Sequence, residues 1–463
     1  MKLLQNPSSF RDPSGHVYKY NNRIIRVIKK YGKKRYEFIK ENNLIEESIK
    51  NNFLIDTKEI ENEFRNLKSE NFCYFLEHER LDYISYPYEW GFYQLKEAAL
   101  HHLKFQIFLL EKNAILIDSS AFNIQFKNNK PIFIDVLSID EYIDGDYWNG
   151  HNQFLQQFLN PLLLSSLKGI SFNDWYKGNL DGIKTTDLNN LLNLKDKLSF
   201  NVFFSVVLLS KLEKQNTANP KEALKKINKK RKLSKNSYRS LLLQLKKWIE
   251  KLHPLPKKTV WDSYSVANTY NEEQERGKID IIKKFAEKHK PNLMADIGCN
   301  DGLYSFESLK SGCKKVVGFD IDTNAIDRAY KNSLKFDLNF LPLYFNATNP
   351  SGRLGWFENE RESFIDRLNF DAVIALAFEH HLALANNVPL EDAVKWIIKI
   401  AKKGLIEYVS KKDETVKKML SIKGDIFPDY NQENFEKSIL LNGKIINKTK
   451  ISNTRILYEF EKN

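Results

Sequence analysis

The chain has 463 residues, 42% of them hydrophobic, enough to bury two cores of ordinary size rather than one. Its 72 basic and 59 acidic side chains leave a formal charge of +13, which favours phosphorylated or polyanionic partners without requiring nucleic acid, because lysine-rich proteins of other kinds share such a balance. Cys73, Cys299 and Cys313 are too few and too scattered for a disulfide framework, and the absence of any CxxC or His/Cys spacing argues against zinc and for a reducing compartment.

The opening stretch MKLLQNPSSFRDPSG turns polar after Leu4, and no run approaches the roughly 20 apolar residues of a membrane span. A cytoplasmic protein without a membrane span is expected. Further on, LIDSSAFNIQFKNNKPIFIDVLS places Asp118, Asn123 and Asp135 on either side of two β-like runs joined by the turn KNNK. That spacing resembles the catalytic loop and metal-binding aspartate of protein-kinase-like and aminoglycoside-phosphotransferase-like enzymes, over roughly residues 14 to 180. The resemblance implies an α+β domain in which FLEHERLDYISYPYEW forms strands and hinge and GFYQLKEAALHHLKFQIFLLEKNA the long helix before the loop. It also implies that Asp118 orients an acceptor hydroxyl while Asn123 and Asp135 hold magnesium against ATP.

Departures from that family are several. Leu116 and Ile117 replace the usual histidine and arginine or glycine, DVL replaces DFG, and neither a glycine-rich loop nor a VAIK lysine is evident. Arg26 or Lys29 in NRIIRVIKK is the available substitute for the lysine. Three readings stay open: an active kinase, a kinase-like domain repurposed for binding, and chance spacing.

Between Leu212 and Lys258 the composition becomes polar and strongly basic, then amphipathic in LLLQLKKWIEKLHPLP, where Pro254 and Pro256 stop the helix. The expected division is 1–210 for the kinase-like domain, 211–258 for a basic helical linker, and 259–463 for the remainder. The run Lys225 to Lys235 reads first as a solvated helix or linker, and second as a contact with phosphates or a membrane surface.

Beyond the boundary, short apolar runs alternate with helical ones. LMADIG, KVVGFDID, NFLPLYFN, FDAVIALAF and GLIEYVS read as strands, with helices in LYSFESLK, from Thr323, and in LEDAVKWIIKIAKK. This is an α/β pattern with a parallel sheet covered on both faces. GKIINKTKI and TRILYEFEK then add an antiparallel pair joined by Ser452 and Asn453.

In such a sheet, ligands sit outside the carboxyl ends of the strands. ADIGCNDG follows the first strand, and the second ends in GFDID, where an acid can accept both hydroxyls of a ribose. The loop is not the GxGxxG fingerprint that seats a pyrophosphate, and its aspartates suit a cationic ligand. Together these motifs resemble motif I and the following acidic motif of class I S-adenosylmethionine-dependent methyltransferases, over roughly residues 261 to 463. The resemblance implies a Rossmann-like sheet with an antiparallel last strand and S-adenosylmethionine as cofactor. Its binding residues would be Asp296, Gly298, Asn300, Asp301, Gly302, Asp320, Ile321, Asn346 and Ala347, with Asn346 standing where many members carry aspartate.

Catalytic candidates lie at the next two strand ends: His380 and His381 beside Glu379 in AFEHHL, and Glu407 in LIEYVS. Histidine suits a general base, yet HHL in methyltransferases also serves only to shape the pocket, and both roles stand. Trp356 and Arg361 in NPSGRLGWFENERESF are residue types that line an acceptor site, or the segment is a loop packed on the sheet. No NPPY-like motif is present, which disfavours DNA and protein-amide acceptors and leaves a small molecule or saccharide, such as one of polysaccharide or glycolipid biosynthesis, as the expected substrate. The rival is an RNA methyltransferase whose basic stretch tracks phosphates.

Overall fold

Asn21 and Asn22 take left-handed φ values of 44° and 67°, the geometry of a two-residue hairpin, and fold one early strand back on the next. The computed structural model describes residues 4–60, 64, 71–218, 233–256 and 272–463. The chain divides into two compact units, Met1–Pro256 with Arg353–Arg361, and Lys257–Gly352 with Glu362–Asn463.

The first unit is α+β. Strands β1 (Leu4–Gln5), β2 (Gly15–Tyr20), β3 (Arg23–Lys29), β4 (Thr57–Glu59) and β5 (Phe72–His78) form an antiparallel sheet in the order β1-β2-β3-β5-β4. Ile25, Val27, Phe64 and Phe75 pack on one another within it. A long helix, Phe92–Glu111, follows and is apolar on most of its circumference, which is why it lies buried rather than on the surface. After it come β6 (Ala114–Leu116), β7 (Ile124–Lys127), β8 (Lys130–Phe133) and β9 (Ile139–Glu141). Asn128 and Asn129, at φ 48° and 62°, turn β7 into β8, and β6 pairs with β9, which brackets the Asp118 loop between two short ladders.

The expected linker needs correcting at its second half. Helix Lys235–Glu250 buries Tyr238, Leu242, Leu245 and Ile249 and belongs to the first unit. The Tyr238 hydroxyl accepts a 2.6 Å hydrogen bond from Gln106 Nε2, and Lys96 Nζ donates to the carbonyls of Glu250 (2.7 Å) and Leu252 (2.9 Å), closing the helix end. The spacing of those four apolar residues gives a stripe that must be covered, so this stretch packs instead of bridging. Most of the run from Lys225 lies outside the described residues.

The second unit is α/β. Strands β10 (Met294–Ile297), β11 (Val316–Asp320), β12 (Phe340–Tyr344), β13 (Phe370–Ala375), β14 (Ala401–Val409), β15 (Gly443–Lys450) and β16 (Arg455–Lys462) form one sheet ordered β12-β11-β10-β13-β14-β16-β15. The first five pair in parallel, and β16 runs antiparallel between β14 and β15. This is the expected Rossmann-like sheet with an antiparallel last strand. Its order reverses at β10, so the carboxyl ends of β10, β11 and β13 open onto one crevice. Helices Glu272–His289 and Thr323–Lys335 contribute Ile282, Phe285, Ile326 and Ala329 to the core beneath it. Among the described residues, no helix is long and apolar enough to cross a membrane.

Candidate active site

The loop after β10 is shaped by two glycines that nothing else replaces easily. Gly298 sits at φ 79° and Gly302 at φ 94°, and a Cβ would lie 3.0 Å from the Phe378 ring at the first and 2.6 Å from the Phe340 ring at the second. Between them Asn300 is also left-handed, at φ 50°. Its backbone N–H donates to Asp320 Oδ2 at 2.8 Å, while Asp320 Oδ1 accepts from the Asp322 N–H at 2.9 Å. Asp320 therefore ties the loop of one strand to the end of the next, which its position in the sequence does not disclose.

Asp296 is buried and accepts a 2.6 Å hydrogen bond from Ser305 Oγ. Burial pushes its carboxyl up to about 7, with the nearby Asp320 charge acting in the same direction. Burial likewise raises Asp320 to about 6. Asn300 Oδ1 is buried with no hydrogen-bond partner among the described residues. Asp296 and Asp320 already take hydrogen bonds from Ser305 and two backbone N–H groups, whereas Asn300 Oδ1 is a buried acceptor without a donor, which fits a ligand carrying an ammonium or hydroxyl. Ile321, half exposed, continues from Asp320, and the Phe345 N–H donates to the Asp320 carbonyl at 2.7 Å, which brings Asn346 and Ala347 to the same edge. Asn346 Oδ1 is itself engaged by the Thr348 N–H (3.1 Å) and hydroxyl (2.8 Å). The fold thus gathers Asp296, Gly298, Asn300, Asp301, Gly302, Asp320, Ile321, Asn346 and Ala347 at neighbouring strand ends.

After β13 the chain turns at Ala377, which takes φ 50°, a strained value for a residue with a side chain. Its N–H donates to Glu407 Oε2 at 2.8 Å. Glu407, expected at the catalytic edge, is fully buried instead: Lys278 Nζ lies 2.7 Å from Oε2 and Arg455 Nη1 lies 3.7 Å from Oε1. Arg455 also grips Asp413 through Nε (2.7 Å) and Nη2 (3.1 Å). A carboxylate taken wholly out of water needs such countercharges, and here they make Glu407 part of a framework that holds the Ala377 turn. Lys278, Asp413 and Arg455 escaped the sequence reading. One signal was available: Lys278 stands four residues before Ile282, on the face of its helix that carries Ile282 and Phe285.

Glu379 is buried and saturated. Its Oε1 accepts from the Val409 N–H (3.1 Å) and Tyr430 hydroxyl (2.7 Å), and its Oε2 from the His380 N–H (2.5 Å), with His380 Nδ1 at 3.1 Å. His380 is completely buried, its Nε2 lacking a partner among the described residues. His381 is partly exposed, with its ring centroid 4.1 Å from that of His380. Burial, and then the adjacent His380, depress the His381 imidazole well below its ordinary range, which keeps it neutral at pH 7 and makes it a weaker base than a free imidazole.

In the first unit, Asp118 and Asn123 do meet: Asn123 Nδ2 donates to Asp118 Oδ2 at 3.1 Å and to Ser138 Oγ at 3.3 Å. Burial, then the Asp135 charge, raise the Asp118 carboxyl. Asp135 is otherwise engaged than expected for a magnesium ligand. Its Oδ1 lies 2.7 Å from Arg26 Nη1 and accepts from the Leu137 N–H at 3.3 Å, and its Oδ2 accepts from Ser138 Oγ at 2.6 Å. Of the two candidate basic residues, Arg26 reaches the aspartate, while Lys29 Nζ turns to His16 Nε2 at 3.1 Å. Among the described residues no three His, Cys, Asp or Glu side chains converge as metal ligands. The donor set as arranged, one carboxylate on a guanidinium and one amide nitrogen aimed at a carboxylate, does not fit magnesium. Of the segment expected either to line an acceptor site or to pack on the sheet, Arg353–Arg361 groups with the first unit, where the Arg361 guanidinium lies 4.1 Å from the Phe122 ring centroid and Trp356 is exposed.

No protein-family model matches the chain. Nodulation protein NoeA of Rhizobium meliloti (strain 1021) is 41% identical over 456 residues, covering 98% of this chain and 95% of that one. The chain belongs to the NoeA family. A tRNA U34 carboxymethyltransferase of Campylobacter lari is 30% identical over 115 residues, 24% of this chain and 32% of its own length. Among solved structures, the bifunctional kinase-methyltransferase WbdD aligns over 47% of this chain and 46% of its own at 15% identity, with a TM-score of 0.30. Within the NoeA family, then, this member carries a Rossmann-like sheet with a glycine loop at the carboxyl end of its first strand.

Proposed function

We propose that the chain is an S-adenosylmethionine-dependent methyltransferase acting on a small molecule or saccharide, and that its first unit is a kinase-like module that holds the same substrate. The observation that carries this reading is the crevice at the carboxyl ends of β10 and β11, where Asp320 fastens the glycine loop and Asn300 Oδ1 is left without a partner among the described residues. S-adenosylmethionine, when bound, supplies a methyl group on a cationic sulfur. The side chains of Asp296, Asn300 and Asp320 accept from the ammonium and hydroxyl groups of such a ligand, and ionise more readily beside its positive charge. His381, neutral at pH 7, takes the proton of the acceptor hydroxyl or amine at an imidazole nitrogen, and the Glu379–His380 pair behind it fixes the turn that presents it. Pairing of Asp135 with Arg26 favours holding over phosphoryl transfer in the first unit. The division into 1–210, 211–258 and 259–463 is retained here only as a functional partition, with the helix from Lys235 assigned to the first part.

The test is a thermal-shift panel of S-adenosylmethionine, S-adenosylhomocysteine, and ATP with magnesium. A ligand that binds only the folded state raises the midpoint by mass action, by about 2.7 kcal/mol at a hundredfold excess over Kd. Both adenosyl ligands should raise it, and no shift with either would remove the cofactor assignment. A second reading, methyl transfer to RNA, is favoured by the local match to a protein named for its action on tRNA and by the basic run. A retarded RNA band that weakens steeply between low and moderate salt would support it.

A further inference from the structure

The segment Arg353–Arg361 of the first unit is a tight hairpin, closed by reciprocal backbone hydrogen bonds of 3.1 Å between Leu354 and Arg361 and turned by Gly355 at φ 85°. At its end two charged side chains part company. The buried Glu360 carboxylate pairs with Arg11 Nε, while the Arg361 guanidinium lies across the Phe122 ring. Arg361 Nη1 donates to the Glu360 carbonyl at 2.9 Å, but Nε is buried with no acceptor, and among the described residues no carboxylate forms an ion pair with the guanidinium. Burial lowers the Arg361 pKa, yet a guanidinium stays charged in a protein. A cation taken out of water without a counter-ion is costly unless a ligand supplies one.

The wall around that cation is aromatic and fixed. Phe122 belongs to the loop between Asp118 and Asn123, and the rings of Tyr86 and Tyr176 each stand 6.2 Å from it by centroid. Asn173 Nδ2 donates to the Tyr88 and Trp90 carbonyls, both at 2.9 Å, which fastens the helix Asn173–Gly178 that carries Tyr176 to the stretch from Tyr86 to Trp90. Tyr176 is completely buried, and its hydroxyl has no hydrogen-bond partner among the described residues. Burial raises that phenol well above its ordinary range, with the Arg361 charge acting in the opposite direction, so it stays a hydroxyl with a proton to donate. A guanidinium N–H and a phenol O–H thus flank one ring with no acceptor for either among the described residues. A neutral ligand would satisfy the hydrogen bonds alone, whereas an oxyanion satisfies the bonds and the charge.

We propose that Arg361 and the Tyr176 hydroxyl bind an oxyanion, a carboxylate or phosphate carried by the small molecule or saccharide that the first unit holds. The proposal rests on the reading of that unit as a substrate-holding module and states what the module selects. It is tested with the full chain by ligand-observed NMR titration of glucuronate, glucose 6-phosphate and neutral glucose, all without magnesium. At least one anionic sugar should bind about tenfold or more tighter than glucose, and comparison of the two separates carboxylate from phosphate. R361Q should abolish that preference, and R361K should keep part of it, because the charge remains while the planar fork is lost. Y176F should weaken the preferred sugar by about threefold to tenfold without lowering the melting midpoint, since it removes only an unsatisfied hydroxyl. K104Q, which removes an equal charge from an exposed position on the helix Phe92–Glu111, should change neither. Glucose bound as tightly as both anionic sugars, a preference that survives in R361Q, or one lost equally in K104Q would each overturn the proposal. So would R361Q and Y176F lowering the melting midpoint with the preference intact, the mark of a residue pair that only latches the hairpin. The two readings fail differently: glucose bound without preference overturns the oxyanion site alone, whereas no binding of any of the three sugars overturns it together with the holding reading.

Discussion

Replacing Glu407 by glutamine tests the buried framework under the active site. Lys278, Glu407, Arg455 and Asp413 are each no more than about 5% exposed, and their formal charges cancel. Glutamine keeps an oxygen for the Ala377 N–H but leaves one uncompensated positive charge in the core. Breaking such a pair costs about 3–5 kcal/mol. For a folded unit of about 200 residues, with about 2–4 °C of melting temperature per kcal/mol, the transition should fall by roughly 6–20 °C. The double variant E407Q/K278M removes both charges and should recover most of that loss. Sign matters for pH. Burial lowers the Lys278 pKa, so the folded state binds fewer protons than the unfolded chain, and stability should rise with pH up to the ordinary lysine range. The E407Q deficit should therefore shrink in alkaline buffer. Scanning calorimetry of the full chain at neutral and alkaline pH reads all of this. A single-variant loss below about 1 kcal/mol, or a double variant whose losses simply add, would refute the reasoning.

Other consequences concern the crevice and the first unit. Asp320→Ala should weaken S-adenosylhomocysteine binding by about 10–100-fold, as expected for losing hydrogen bonds to a carboxylate, and titration calorimetry with unchanged affinity would take Asp320 out of the site. Because Asp296 and Asp320 are raised to about 7 and about 6, the ligand-free protein should lose stability as pH rises from about 4 to 7, while S-adenosylmethionine affinity rises over the upper part of that window. Proton release on binding, measured in buffers of different ionisation enthalpy, checks the second half. His381→Ala should cost turnover with cofactor affinity near wild type, whereas His380→Ala should cost stability; equal losses in both assays for His381 would make it structural. In the first unit, ATP with magnesium should leave the melting point of the wild type unmoved, and a magnesium-dependent shift lost in Asp135→Ala but kept in Asp118→Ala would restore the phosphotransferase reading.

The alternation of short β-branched runs with helices, the glycine loop and the acid at the next strand end were legible in the sequence because each is a local matter. A left-handed φ at Gly298 and Gly302, the unbroken apolar run of VVGFD and the asparagine turn between β7 and β8 depend on neighbours a few residues away. Residue type and spacing likewise singled out Asp118, Asn123 and Asp135. What spacing leaves open is the partner of each charge. Asp135 and Arg26 are separated by more than a hundred residues, and Glu407 meets Lys278 and Arg455 only after β14 lies beside β16 and under the helix before β10. Burial then decides function: the same glutamate that would be a base at an open strand end becomes a structural anion once two cations enclose it. Exposure of Phe200, Phe204, Leu208 and Leu212, which recur every fourth residue along one helical stretch, is a tertiary fact for the same reason. An apolar period announces that a face wants covering, and only packing determines which of two such faces the protein covers itself.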